Sequence, residues 1–339
     1  MMKGIRPETG FLAFLKSESE HQYQMGHICN ANNYVSAEHS FRRFLQTFGQ
    51  NDVPFEQVTA LLVNDYEAWL QTCGLCKNTS SFYLRSLQSV YNKAVQQDRT
   101  ADRHPFKTVY RGVARTVKRA ISPDDLYRLC SLDIRKVLIA RGYQVGTQRF
   151  DHHLQPLEFA RDMFLFCFCA RGLTFVDLAF MRKSDIAGGM MTYVRRKTKQ
   201  RIEVKIEPMM QAIIDRYPST TSYLFPIMKK TGDSRKVYYQ YRYAITRYNS
   251  CLNQLGEMLG LVKLTSYVSR HSWATTARKQ NVPLPIISQS MGHDSEKTTE
   301  IYLKSLESNI IHQTNGELLN HVFHTHERDK NGNRCKGFI

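Results

Sequence analysis

Acidic residues are scarce in this chain: 30 Asp and Glu stand against 47 Lys and Arg over 339 residues, a formal net charge of +17. Such a surplus gathers phosphate and releases condensed counterions, so the expected partner is a polyanion, nucleic acid before any other. No apolar run approaches the ~18 residues that a bilayer span needs. Neither an amphipathic anchor nor a lipid signal is present, which removes the membrane surface as the rival partner. The opening stretch, MMKGIRPETGFLAFLKSESE, turns charged before an apolar run can build into a secretory signal. The expectation is a cytoplasmic protein associated with the nucleoid.

Organised cysteine is also missing. The eight cysteines are scattered, and Cys73 and Cys76 form a single C-x-x-C with no second pair at zinc-finger spacing. Reduced thiols and no metal are expected, with Cys73 and Cys76 as small buried residues at a helix end. The late cluster His321, His324, His326 and Cys335 reads as part of a solvated tail. There is no internal repeat. What remains is an ordinary globular composition, 42% hydrophobic and 23% charged, on a chain long enough for two domains.

Between residues 30 and 110 the pattern is helical with little strand character. Tyr34, Phe41, Phe44, Leu45 and Phe48 share one helical face, and Val58, Leu62, Tyr66, Trp69 and Leu70 share another, with Gly74 just past its end. Asn78 or Thr79 is the expected cap of a third helix carrying Leu84, Leu87, Tyr91 and Ala94. Its opposite side offers Arg85, Asn92 and Lys93, either as phosphate contacts or as a merely solvated face. Residues 102–120, DRHPFKTVYRGVARTVKRA, hold six basic residues against one acidic. This stretch reads as a basic linker, with Arg111, Arg115 and Lys118 available to DNA. Helices are predicted over Pro123–Leu132, Leu157–Cys169 and Val176–Ile186. A strand pair, MTYVRR and RIEVKI, follows around the turn KTKQ. Helices then continue to about residue 310.

The chemistry is concentrated in residues 265–305. Arg270 and His271 open a helix, Gly292 and His293 follow some two dozen residues later, and Tyr302 lies nine beyond His293. This arrangement resembles the C-terminal signature of the phage-integrase or tyrosine recombinase family, and with the helical first part the resemblance covers roughly residues 10–310. The chemistry of phosphodiester cleavage explains the residue types. Negative charge spreads over the non-bridging oxygens in the transition state, and fixed arginines meet it with bidentate, permanently charged forks. The resemblance implies that Arg270 is the second of two such arginines and that Tyr302 is the nucleophile, forming a 3′-phosphotyrosyl link. His293 would bind a non-bridging oxygen or accept the tyrosine proton. Lys197, at the hairpin turn, would protonate the leaving 5′-oxygen, with Lys199 as its competitor. The bond energy kept in the link makes ATP, metal and other cofactors unnecessary.

Two positions depart from the family pattern. Tyr267 stands where many members carry His, and its hydroxyl can still donate to a phosphate oxygen. In RGLTFVDLAFM, Thr174 occupies the place of the first arginine. Arg171, one helical turn earlier, is the expected substitute, and Arg195 on the hairpin is the alternative. Asp177 and His271 are expected to support these groups from behind. The fold expected is mainly α with a small β-sheet. A helical SAM-like core-binding domain (10–105) would be followed by a basic linker (106–120), a mixed α/β catalytic domain (121–310) and a tail (311–339). The resemblance further implies action on double-stranded DNA recombination sites, a tetramer on DNA and accessory DNA-bending proteins. Integration or excision of a mobile element is the expected role. The alternatives are a DNA invertase of the same family, a catalytically impaired DNA-binding regulator, or a type IB topoisomerase.

Overall fold

A computed structural model describes residues 10–114, 119–229, 231–232, 234–261 and 263–293. Tyr302, Arg115, Lys118 and the tail lie outside them. The described part of residues 1–116 with 232–238 makes one compact unit, and that of 117–231 with 239–339 makes a second.

The first unit contains α1 (Phe11–Gln24), α2 (Ile28–Gln46), α3 (Ala60–Thr72) and α4 (Lys77–Gln96). The apolar faces predicted for α2, α3 and α4 meet in one core with Phe11 and Phe14 of α1, which lies upstream of the helices read from the sequence. Edge-to-face rings dominate it: Phe41 meets Tyr66 at 4.9 Å between centroids and an angle of 82°. Gly74 ends α3 as expected, at φ 73°.

Three expectations are corrected in this unit. Cys76, rather than Asn78 or Thr79, is the N-cap of α4. Asn78 instead exchanges two hydrogen bonds with the backbone of Ala114, at 2.7 and 3.0 Å. The segment read as a linker from residue 106 is packed through residue 114, because Phe106 and Val109 enter the core while Ser81 donates to the Gly112 carbonyl at 2.7 Å. Composition signalled the charges there, whereas two apolar side chains three residues apart decided the packing. Finally, Cys73 and Cys76 are exposed, not buried.

In the second unit α7 (Gln148–Cys169) is the central helix, packed by α5 (Pro123–Cys130), α6 (Ile134–Ala140), α9 (Pro208–Arg216) and α11 (Ser266–Lys279). Its run of Met163, Phe164, Leu165, Phe166 and Cys167 is buried on all sides. Where the sequence predicts one helix over 176–186, the chain instead makes a short α8 (Phe175–Ala179) and then extends. Two tertiary contacts pull it out of helix: Leu224 N–H donates to the Met181 carbonyl at 2.8 Å, and Arg182 pairs with Tyr223. A three-stranded antiparallel sheet follows, β1 (Ile186–Ala187), β2 (Met190–Val194) and β3 (Arg201–Lys205), with Met191 opposite Val204 and Tyr193 opposite Ile202 on its buried face. The strand pair around Lys197 is therefore present, with β1 added. The unit also holds the greater part of α10 (Ser234–Met258) and α12 (Leu284–Ser290). The architecture is mainly α with a small sheet. Among the described residues no helix is long and apolar enough to cross a membrane.

Candidate active site

Arg270 is the largest fully buried side chain of the described residues, at 2% exposure. A buried guanidinium is tolerated only when its donors are matched. Here Nη1 donates to the Gly172 carbonyl and Nη2 to the Met291 carbonyl, both at 2.6 Å. Nη2 also lies 2.9 Å from His293 Nε2. A guanidinium has only donors, so Nε2 carries the lone pair and the His293 ring is neutral with its proton on Nδ1. Burial, with the charges of Arg270, Arg195 and Lys197 behind it, pushes the His293 pKa from 6.5 down to about 3.

The local sequence builds these acceptors. Gly172, φ 74°, turns the chain between α7 and α8, and a Cβ there would stand 3.0 Å from Arg270 Cα. Only glycine lets the corner lie flat against the arginine. At the end of α12 Gly292 takes φ 62°, the left-handed stop of a helix. That turn presents three successive carbonyls: Met291 to Arg270, Gly292 to Arg195 Nη1 at 2.5 Å, and His293 to Gln200 Nε2 at 3.0 Å.

Arg195, immediately after β2, is therefore part of the cluster. It is 4% exposed, and its Nε lies 3.9 Å from Asp177 Oδ2. Asp177 is held by the Thr174 hydroxyl at 2.6 Å and by the Arg196 N–H at 2.9 Å. Thr174 thus serves as N-cap and carboxylate clamp, and contributes no cation. The expectation for Arg171 rested on helical reach, and that premise fails. Helix α7 ends at Cys169, and Arg171 sits at φ 58° in the corner before α8. Among the described residues its side chain makes no hydrogen bond or ion pair to Arg270, His293 or Asp177.

Lys197 is exposed at the hairpin turn yet close enough to act on His293, as Lys199 does not. Arg270, Arg195 and Lys197 all act on the His293 ring. With Asp177 as their carboxylate, these cations leave the cluster with a surplus of positive charge suited to a phosphate. Tyr267 is 46% exposed, stands three residues before Arg270 on α11, and has its ring 6.1 Å from that of half-buried His271.

In the first unit Arg85 is exposed on α4, and Arg111 Nη1 donates to Gln88 at 2.5 Å. Lys93 departs from expectation. Its ammonium is 2.7 Å from Glu18, which is 8% exposed, and lies over the Tyr34 ring. The acid is on another helix, so its claim on Lys93 is invisible in local sequence. Also missed from sequence were the carbonyl acceptors and the turn residues Thr198 and Gln200, whose polar character alone carries no sign of a partner some 90 positions away.

A mainly helical first domain, then a mixed domain that clusters two buried arginines with a neutral histidine, agree with a DNA strand-breaking and rejoining enzyme. Family models agree: a phage integrase SAM-like domain matches residues 10–111 and the phage integrase family matches 151–309. The chain belongs to the phage integrase family and is a tyrosine site-specific recombinase. Among solved structures it is similar to a Tn1549 transposon integrase in complex with a circular intermediate DNA, with TM-score 0.58 and 13% identity over 87% of this chain and 95% of that one. A lambda integrase dimer bound to a COC' core site gives TM-score 0.56 and 15% identity over 86% and 76%. A lambda integrase tetramer bound to a Holliday junction gives 0.58 and 14% over 87% and 78%. No match is found among curated protein sequences.

Proposed function

We propose that this recombinase integrates or excises a mobile element, acting as a tetramer on double-stranded DNA, through a 3′-phosphotyrosyl bond to Tyr302. The observation that carries the reading is the buried Arg270–His293–Arg195 constellation beside the Lys197 turn. In this reading the Tyr302 hydroxyl oxygen attacks phosphorus and gives up its proton to solvent water, and the bond from phosphorus to the 5′-oxygen breaks. Lys197 gives that oxygen its proton. Arg270 and Arg195 hold the non-bridging oxygens, with Arg195 supplying the cation that Thr174 does not. The neutral His293 completes the oxygen cradle, and Asp177 keeps Arg195 and the start of the hairpin in place. Religation reverses the step, with a 5′-hydroxyl from the partner strand displacing Tyr302. The Tn1549 transposon and lambda integrases similar in fold support the mobile-element role, and the excess of cations supports action on DNA.

The test is trapping on a nicked suicide duplex, where the cleaved end is lost and the adduct accumulates. A denaturation-resistant protein–DNA adduct is expected from the native chain and none from Tyr302→Phe. Binding without an adduct in the native chain would make it a DNA-binding regulator, and an adduct in Tyr302→Phe would place the nucleophile elsewhere.

A further inference from the structure

The turn carrying Lys197 is fastened to the segment that leads toward Tyr302. Thr198 Oγ1 donates to the Gly292 carbonyl at 3.0 Å, and Gln200 Nε2 to the His293 carbonyl at 3.0 Å. The partners are 94 and 93 positions away in the chain, so these bonds are tertiary and not part of the hairpin's own ladder. The fit is close as well as polar. A Cβ on Gly292 would come within 2.6 Å of Ile202 Cδ1 and 3.2 Å of Arg195 Cδ, so a side chain at 292 would have to displace these hairpin side chains. Inside the turn, Arg195 N–H donates to the Gln200 carbonyl and Lys199 N–H to the Arg195 carbonyl, both at 2.8 Å, which makes residues 195–200 a closed loop able to move as one piece.

A lysine on an exposed turn has four rotatable bonds and a mobile backbone to hold still, whereas a general acid must sit within hydrogen-bond reach of one oxygen. Lys197 is flanked by two anchored neighbours, Arg195 and Thr198, and both end on the same Gly292 carbonyl. We propose that Thr198 and Gln200 are positioning residues that lock the Lys197 turn onto the Gly292–His293 carbonyls, so that the leaving-group acid is placed by the same turn that carries His293. This rests on the reading of Lys197 as the acid.

The experiment separates proton delivery from everything else. Suicide duplexes are made with either the ordinary 5′-bridging oxygen or a 5′-bridging sulfur at the cleavage position. With sulfur, the phosphorus–sulfur bond breaks and a thiolate leaves without needing a proton. Thr198→Val and Gln200→Met each remove one donor at nearly constant size. With the oxygen substrate each slows adduct formation by about 3- to 10-fold, the worth of one hydrogen bond. With the sulfur substrate both match the native chain, and Thr198→Ser restores the oxygen rate. Lys197→Ala, run beside them, loses far more on oxygen and recovers on sulfur. Equal losses on both substrates, or no loss on oxygen, would overturn the positioning role while Lys197 stands. Failure of sulfur to rescue Lys197→Ala would remove Lys197 as the acid and the proposal with it.

Discussion

Replacing Arg195 with alanine removes a guanidinium that is 4% exposed and within the field of His293, whereas replacing Arg171 removes a half-buried one from the corner before α8. Loss of one preorganised donor from a water-excluded phosphate site costs about 2.7–4 kcal/mol in the transition state, roughly 10²–10³ in rate. The fold should survive. The Gly292 carbonyl keeps Thr198 as a donor, and Asp177 keeps the Thr174 hydroxyl and the Arg196 N–H. The stability cost is then on the order of 1–3 kcal/mol, that of one under-satisfied buried group. Adduct formation on the suicide duplex, at saturating protein, should fall by two to three decades for Arg195→Ala and stay within a few-fold for Arg171→Ala. Arg195→Lys should fall between, since an ammonium keeps the charge and loses the fork. Thermal unfolding and duplex binding run alongside exclude a folding or affinity defect. If Arg195→Ala cleaves normally while Arg171→Ala loses two decades, the reasoning from burial and geometry is refuted.

His293, with its pKa lowered from 6.5 to about 3, should stay neutral at pH 5 in NMR spectra of the free protein. The sign follows: between pH 6.5 and 3 the unfolded chain takes a proton that the folded chain does not, so stability declines as pH falls through that window and is unaffected above it. Removing the positive neighbour in Arg195→Ala should raise the ring's pKa, and a ring that titrates near 6.5 in the native chain would contradict its burial among cations. Lys93→Met should lower stability by about 1–3 kcal/mol, because Glu18 is left buried without its cation. Its DNA affinity should keep the native salt slope, and a slope reduced by about one would return Lys93 to the DNA interface. Gly172→Ala combines a left-handed φ with a Cβ 3.0 Å from Arg270 Cα, and should cost about 1–3 kcal/mol together with at least tenfold in adduct formation. Equal activity in that variant would show that Arg270 does not need the corner.

The helical faces of the first unit, the strand pair and the reactive segment were legible because their signals are local. Tyr34, Phe41 and Phe44 repeat at 3.6 residues, Met191 and Tyr193 alternate at two, and Arg270, His293 and Tyr302 keep a spacing along the chain that resembles the family signature. The chemistry that requires a permanent cation and a phenol also restricts the residue types, so the family could be read from these few positions.

What the chain alone left open was decided by partners far away in sequence. Arg171 and Arg195 are equal as letters, and helical spacing favoured the first. We propose the second because folding brings residue 292 to residue 195 and turns residue 171 into a corner. Lys93 is diverted by Glu18, and Phe106 and Val109 draw a basic stretch into a core. Thr198 and Gln200 become anchors through carbonyls that any residue carries. Local sequence determines most of the elements and which reactive groups exist. Which of two like charges meets the phosphate depends on backbone acceptors and burial, and these exist only once the chain has closed on itself.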